Sequence, residues 1–324
     1  MRLNVIDMPA RFPAQIATGQ MMSVFPRVIN LVLGTDRDMR SVATIDARDG
    51  APLSPGTARA SAPPDLDFSR RIRPGSAVAV RAGILRIQNA DLTFDFRGAA
   101  PMPWRDGQND GQDKPQYNQK RFSTGWFDAW SSFVYTPEPA GFAAALVADE
   151  ERSAFNRALV RRVRTHVPEL MHASVVADLP VAWASLQQLL GMGPGLTPSG
   201  DDFATGYILG FGQVSRKPDR IEFLQGLTQA ARNRSRNSTD VSRAYLEHAG
   251  AGRFSVPLTA LVEAIMSHAG NLPARLAGVF RLGHSSGRDA AFGILCGLAV
   301  GAPELCAHVV TKLDNPYLQE KIPR

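Results

Sequence analysis

Apolar and polar positions change their rhythm about a third of the way along the chain. Before that point the runs are short and strand-like. Arg27–Gly34 (RVINLVLG) is apolar and rich in β-branched residues, the pattern of a buried strand. Met39–Ile45, Ser76–Arg81 and Gly83–Ile87 predict further strands. Leu92–Phe96 alternates apolar and polar residues, with Asn89–Asp91 as the turn into it. Asp49–Pro64, rich in Pro, Ala and Ser, reads as loop, and Arg97–Gln119, dense in Gly, Pro, Asp and Gln, as a linker. Phe122, Trp126, Trp130 and Phe133 then recur at helical spacing, a stripe that predicts core at a seam between two halves.

From about Pro137 the period is helical. Ala140–Val163 and Val181–Leu190 predict helices, and Phe254, Leu258, Leu261, Val262, Ile265, Met266 and Ala269 fit one amphipathic face. Asn271-Leu-Pro273 starts another helix running to Leu282, and a last one ends near Val300. The expectation is an α+β protein: a β-rich N-terminal domain over 1–120, then a mainly α-helical C-terminal domain over 121–324.

Composition narrows the function classes. Across 324 residues, 44% are hydrophobic and 20% charged, as in ordinary globular proteins. The net charge of +6 is diffuse, and its local runs (Arg70–Arg73, Arg161–Arg164, Arg232–Arg236) lack interleaved aromatics. They read as solvated helix faces, so no nucleic-acid partner is expected. No stretch reaches the length of a membrane span and the first residues lack a signal-peptide run, so no membrane partner and a cytoplasmic location are expected. The two cysteines, Cys296 and Cys306, have no zinc-ligand spacing.

The richest segment is Gly191-Met-Gly-Pro-Gly-Leu-Thr-Pro-Ser-Gly-Asp-Asp202, and part of it recurs. Ser199–Gly210 aligned on Ser286–Gly297 matches at six of twelve positions, with Ser286 following Ser199 by 87 residues. That spacing exceeds common helical repeats and suggests one duplication of a helical subdomain, or convergence on one packing solution. In each copy Ser and Asp stand in the S-x-x-D order of a capping box, and Gly206/Gly210 or Gly293/Gly297 continue one helical face. Two such helices packed together would bring two polar N-termini to one place.

Successive N–H groups of a glycine loop that runs into a helix make an anion site. Gly193, Gly195 and Gly200 supply the close approach, and Thr197 and Ser199 supply hydroxyls. The loop is neither a P-loop, for which the lysine is missing, nor a Rossmann turn, since a helical segment precedes it. Asp201, Asp202 and Asp289 would repel a phosphate unless a cation such as Mg²⁺ lay between them, or unless Asp202 and Asp289 merely cap. Asp201 has Arg288 as its counterpart in the second copy, so the two can face each other across an asymmetric site. Thr239 and Ser242 stand at a helix start, either as plain caps or pointing into the same cavity. His284, inside the second loop, is the best-placed imidazole, while His248, His268 and His308 read as surface or satisfied core residues.

The segments GMGPGLTPSGDD, TDVSRAYLEHAGAGRF and GHSSGRDAAFG together resemble the AllH-like family, over roughly Val181–Gly301. The matching positions are Gly195–Asp202, then Thr239, Ser242, Ser286, Gly287 and Asp289. The resemblance implies one subunit of an oxamate carbamoyltransferase of anaerobic allantoin breakdown, within a multi-subunit assembly. It implies transfer of a carbamoyl group between carbamoyl phosphate and oxamate, with other carbamoyltransferase subunits as partners.

On that basis Ser199, Asp202 and Asp289 are the expected catalytic residues. Gly193, Gly195, Thr197, Gly200, Asp201, Thr239, Ser242, Ser286, Gly287 and Arg288 are expected to bind substrate. Asp202 and Asp289 are also the candidate ligands should Mg²⁺ take part. Backbone N–H groups of Gly193–Gly200 with Ser199 would hold the phosphate or carbonyl, and Arg288 the oxamate carboxylate. Two other readings stand beside this one: a non-catalytic scaffold or regulatory subunit, and an Mg²⁺-dependent phosphotransferase, for which no base-reading motif is visible.

Overall fold

The computed structural model describes residues 1–9, 17–34, 41–52, 54–102, 118–136, 140–147, 153–235, 238–269, 271–283 and 285–317. The chain divides into two compact units, Met1–Arg105 and Asp106–Arg324.

The first unit is a β-barrel. Its strands are β1 (Arg2–Pro9), β2 (Ala17–Val24), β3 (Val28–Leu33), β4 (Ser41–Asp46), β5 (Thr57–Ala60), β6 (Ala77–Arg81), β7 (Ile84–Ile87), β8 (Thr93–Asp95) and β9 (Ala100–Met102). The order β5-β4-β3-β2-β6-β7-β8-β1 closes because β1 also pairs with β5, and closure removes the exposed edges. β9 continues beyond β8 along the same flank of β1. Leu3 and Val5 alternate inward from exposed neighbours, and Phe68 meets Phe94 edge-to-face at 5.8 Å inside. The β6–β7 hairpin turns on Ala82 and Gly83, both at positive φ, as a two-residue type I′ loop requires.

The expected strands at 27–34, 39–45, 76–81, 83–87 and 92–96 are present, each within a residue or two of its predicted bounds. Two expectations need correction. Thr57–Ala60, placed in a loop, is β5, because pairing with β4 and β1 supplies what its weak local pattern lacks. Ala100–Met102, placed in the linker, is β9; residues 103–117 of that linker lie outside the described residues.

The second unit is helical: α1 (Gln119–Val134), a 3-10 turn at Gly141–Leu146, α2 (Ala154–Val175), α3 (Leu179–Leu189), α4 (Ser199–Val214), α5 (Pro218–Ser235), α6 (Asp240–Gly250), α7 (Val256–Ser267), α8 (Leu272–Phe280), α9 (Ser286–Ala299) and α10 (Pro303–Asp314). The helix expected over 140–163 is really the 3-10 turn and the first half of α2, with residues 148–152 outside the described set.

α4 and α9 form the centre and are buried on nearly every face, as helices apolar all round must be. A β-carbon at Gly206 would overlap the Ala290 carbonyl oxygen, and one at Gly210 that of Ile294. In return, β-carbons at Gly293 and Gly297 would overlap the carbonyls of Phe203 and Tyr207. The contacts advance together along both helices, so α4 and α9 run parallel, in backbone contact that only glycine allows. The aromatic stripe belongs to the core of this unit. Trp126 stacks on Trp130 at 5.1 Å and its indole N–H donates to the Leu295 carbonyl of α9 at 2.9 Å.

Candidate active site at the paired helix starts

Because α4 and α9 are parallel and touching, their N-termini lie together, and the positive ends of both helix dipoles add there. The Thr197 and Ser286 hydroxyls are 2.8 Å apart, joining the two loops. Gly193 at φ +115 packs against Ser199, while Gly195 at φ +101 has open space about its α-carbon. Gly200 lies against the Leu189 carbonyl of α3 and Gly287 against the Val279 carbonyl of α8, positions where a side chain would clash. Each preceding helix is thereby locked onto the start of the next.

The capping-box expectation fails in both copies. The N-caps are Pro198 and Ser285, one residue earlier than the spacing suggests, and neither makes a side-chain cap hydrogen bond. Asp202 and Asp289 therefore are not spent on their own helix starts. Instead each carboxylate meets one hydroxyl from its own helix start and one from the other. Ser286, with Thr197, lies beside Asp202, and Ser199, with Ser285, lies beside Asp289; all four hydroxyls favour the ionised carboxylates. Asp289 is fully buried, and its Oδ1 accepts the Phe142 N–H at 2.7 Å. Neither Asp202 Oδ2 nor Asp289 Oδ2 receives a hydrogen bond of good geometry, although both atoms are sealed from solvent.

Two carboxylates enclosed together cannot both ionise cheaply. Burial pushes Asp289 up to about 7, against the opposing pull of the Phe142 N–H and the serine hydroxyls. Burial first, and then the charge of Asp289, raise Asp202 well above the usual carboxylate range.

The other expected residues separate by what they touch. Asp201 does not face Arg288. Its Oδ1 accepts the Gly191 N–H at 2.9 Å and its Oδ2 the Ser238 hydroxyl at 2.6 Å, so it staples the glycine loop to the segment before α6. Arg288 lies over the Phe280 ring, 4.5 Å from its centroid. Thr239 is the N-cap of α6, accepting the Ser242 N–H at 3.1 Å, and it donates to the Leu196 carbonyl, fixing the loop from a second side. Ser242 is buried with its Oγ unpartnered. His284 lies outside the described residues. His268 meets Asp128 at 2.9 Å on the exposed side of α7 and α1, away from the paired helix starts.

One pair of residues escaped the sequence reading. Gly141, at φ +59, lies so close to the Asp289 carboxylate that a β-carbon would overlap it, and the next N–H, that of Phe142, holds Oδ1. The only local signal was a glycine opening a helical run. Among the described residues no group of three or more His, Cys, Asp or Glu side chains gathers as a metal site. Asp202 and Asp289 alone would leave most of an octahedral Mg²⁺ shell to water and substrate. No helix among the described residues is long and apolar enough to cross a membrane.

Comparison with known families gives two matches. Residues 189–298 match the family described as oxamate carbamoyltransferase subunit AllH, and residues 4–101 match the AllH family N-terminal domain. The first covers the glycine loop, α4 and α9, and the second almost the whole barrel. No solved structure matches the chain.

Proposed function

We propose, from the premise that this chain belongs to the AllH family, that it is a carbamoyltransferase subunit that binds a small anionic carbamoyl donor where α4 and α9 begin. The observation that carries the reading is the crossed arrangement of Ser199 with Asp289 and Ser286 with Asp202 at two adjoining helix starts. A structural cap would satisfy its own backbone; these groups are turned toward each other.

The roles follow from charge. The phosphate of carbamoyl phosphate belongs at Gly195, where open backbone and helix-dipole charge favour an anion and the aspartates are farther along the chain. The N–H groups of Gly200, Asp201 and Asp202 already donate to the Met192 and Pro198 carbonyls, so Ser199 at the very start of α4 is the group for the carbonyl oxygen, where negative charge develops in the transition state. The amide nitrogen of oxamate attacks the carbonyl carbon, the bond from that carbon to the phosphate oxygen breaks, and phosphate leaves with the electron pair. The proton shed by nitrogen goes to Asp289, whose pKa near 7 suits taking it and, in the reverse direction, returning it. Arg288, in the first turn of α9, is the group for the oxamate carboxylate. Other subunits of the assembly are its expected partners.

Isothermal titration of the full chain with carbamoyl phosphate, with and without Mg²⁺, tests the reading. Saturable binding that Asp202→Asn weakens supports a donor site in this chain. A flat titration under both conditions would sink donor binding by the isolated subunit and favour a scaffold role.

A further inference from the structure

Three aspartates lie at or beside the paired helix starts, and the protein treats them differently. Both side-chain oxygens of Asp201 are satisfied, by Gly191 N–H and by Ser238. Asp202 and Asp289 are each left with one sealed, unpartnered oxygen. Buried acceptors without donors are rare in native proteins, because each forfeits its hydration. Here two of them stand together, and the Asp289 side chain is fully buried.

The surroundings cannot fill the gap. The hydroxyls of Ser199 and Ser286 lie beside the opposing carboxylates, and Ser286 is shared with Thr197 at 2.8 Å. The Phe142 N–H is committed to Oδ1 of Asp289, and Gly141, which has no donor of its own there, lies against both oxygens of that carboxylate. Below about pH 7 the proton held on Asp289 supplies one donor inside the site; once it is lost, the missing partner is a donor brought by a ligand. A fully ionised phosphate ester or carboxylate offers only acceptors. An unsubstituted amide NH₂ carries two hydrogens directed at separate acceptors.

We propose that Asp202 and Asp289 together form a reader for a primary amide, each accepting one N–H of the ligand's NH₂ group at its Oδ2. The reader rests on the carbamoyltransferase reading only for which amide it takes: the carbamoyl group of the donor or the amide of oxamate. It selects ligands by that NH₂, and makes the aspartates positioning groups before either becomes a proton acceptor. A site built to hydrogen-bond a substrate N–H rejects the analogue that lacks it, because its acceptors are then left buried and unpaired.

Titrating the full chain with two matched pairs tests this. Acetyl phosphate replaces the NH₂ of carbamoyl phosphate with methyl at equal charge, and pyruvate does the same for oxamate. The primary amide of at least one pair should bind at least about tenfold tighter than its methyl counterpart, with the ratio falling toward one in Asp202→Asn and Asp289→Asn. Equal affinities within the pairs on wild type would overturn the reader and leave donor binding intact. Discrimination of oxamate from pyruvate with no binding of carbamoyl phosphate would keep the reader and overturn the donor site. No binding of any of the four overturns both. Competitive displacement of oxamate by ammonium chloride at constant ionic strength would mark a cation site instead, and would also overturn the reader.

Discussion

Gly141 presses its α-carbon against the carboxylate of Asp289, a residue 147 positions from the Phe142 N–H that completes the cradle. The contact leaves no room for a side chain, and the backbone there is at φ +59, a conformation that costs any L-residue with a β-carbon. Gly141→Ala should therefore displace Asp289 as well as strain the turn. Urea denaturation should show a loss of about 1–3 kcal/mol. Ligand titration on the folded variant should show weaker amide binding and an altered pH midpoint, whereas a purely structural glycine would change only the first.

The glycines of the α4–α9 contact divide from glycines elsewhere. Gly206→Ala or Gly293→Ala forces a methyl into a carbonyl oxygen of the facing helix, so the two central helices must separate. A loss of several kcal/mol, on the order of a severe overpacking change, is expected by chemical denaturation. Gly278→Ala in α8 is the control. Its only neighbour within reach is the end of the Arg281 side chain at 3.8 Å, so the helix gains alanine's propensity, about 0.5–1 kcal/mol of added stability. Equal effects at the two kinds of site would contradict the close parallel packing.

Stability should fall as the site is titrated upward. Asp289 has its folded pKa raised from 3.8 to about 7, so between those values the folded chain holds a proton that the unfolded chain has released. The contribution is complete below about pH 4, declines through neutrality, and is gone above about pH 7, amounting to at most on the order of 4 kcal/mol. The raised pKa of Asp202 acts in the same direction. Unfolding free energies measured at pH 5 and pH 8 should differ in wild type and differ much less in Asp289→Asn. A wild type whose stability rises over that range would show that these carboxylates are not the buried, raised pair.

Neighbouring aspartates should behave in opposite ways. Asp201→Ala unties Gly191 and Ser238, which should cost about 1–3 kcal/mol. Asp202→Asn replaces a buried carboxyl with an unpartnered oxygen by a neutral group of the same shape, and should leave the melting temperature unchanged or raise it. Thermal unfolding of the two variants side by side checks the assignment of one carboxylate to structure and the other to ligand.

Much of this protein is legible along the chain. The change from a two-residue to a helical rhythm marks the barrel and the helical unit, since each period reports which face of a local element is buried. The Ser, Asp and Gly positions of α4 and α9 stand out because the same spacing occurs twice. Thr239 was readable as a helix cap because capping is a local geometry. Strands β1 and β5 were not, because their buried polar residues make sense only together: the Asp7 carboxylate faces inward where Arg59, 52 residues later, donates to it at 2.8 Å.

The roles of the site residues lay beyond the sequence. The S-x-x-D spacing predicts a local capping box, and a local rule is right when a side chain's nearest partner is its own backbone. Here the backbone contact made possible by Gly206, Gly210, Gly293 and Gly297 brings a second helix start closer than that. The serines and aspartates then pair across helices, Asp201 turns to the loop, and Gly141 closes over Asp289. The elements and the residue types at their starts follow from the chain alone, because they depend on periodicity and composition. Which carboxylate is satisfied, which is left open and how strongly each holds a proton depend on distances and burial between distant segments, which exist only once the chain is folded.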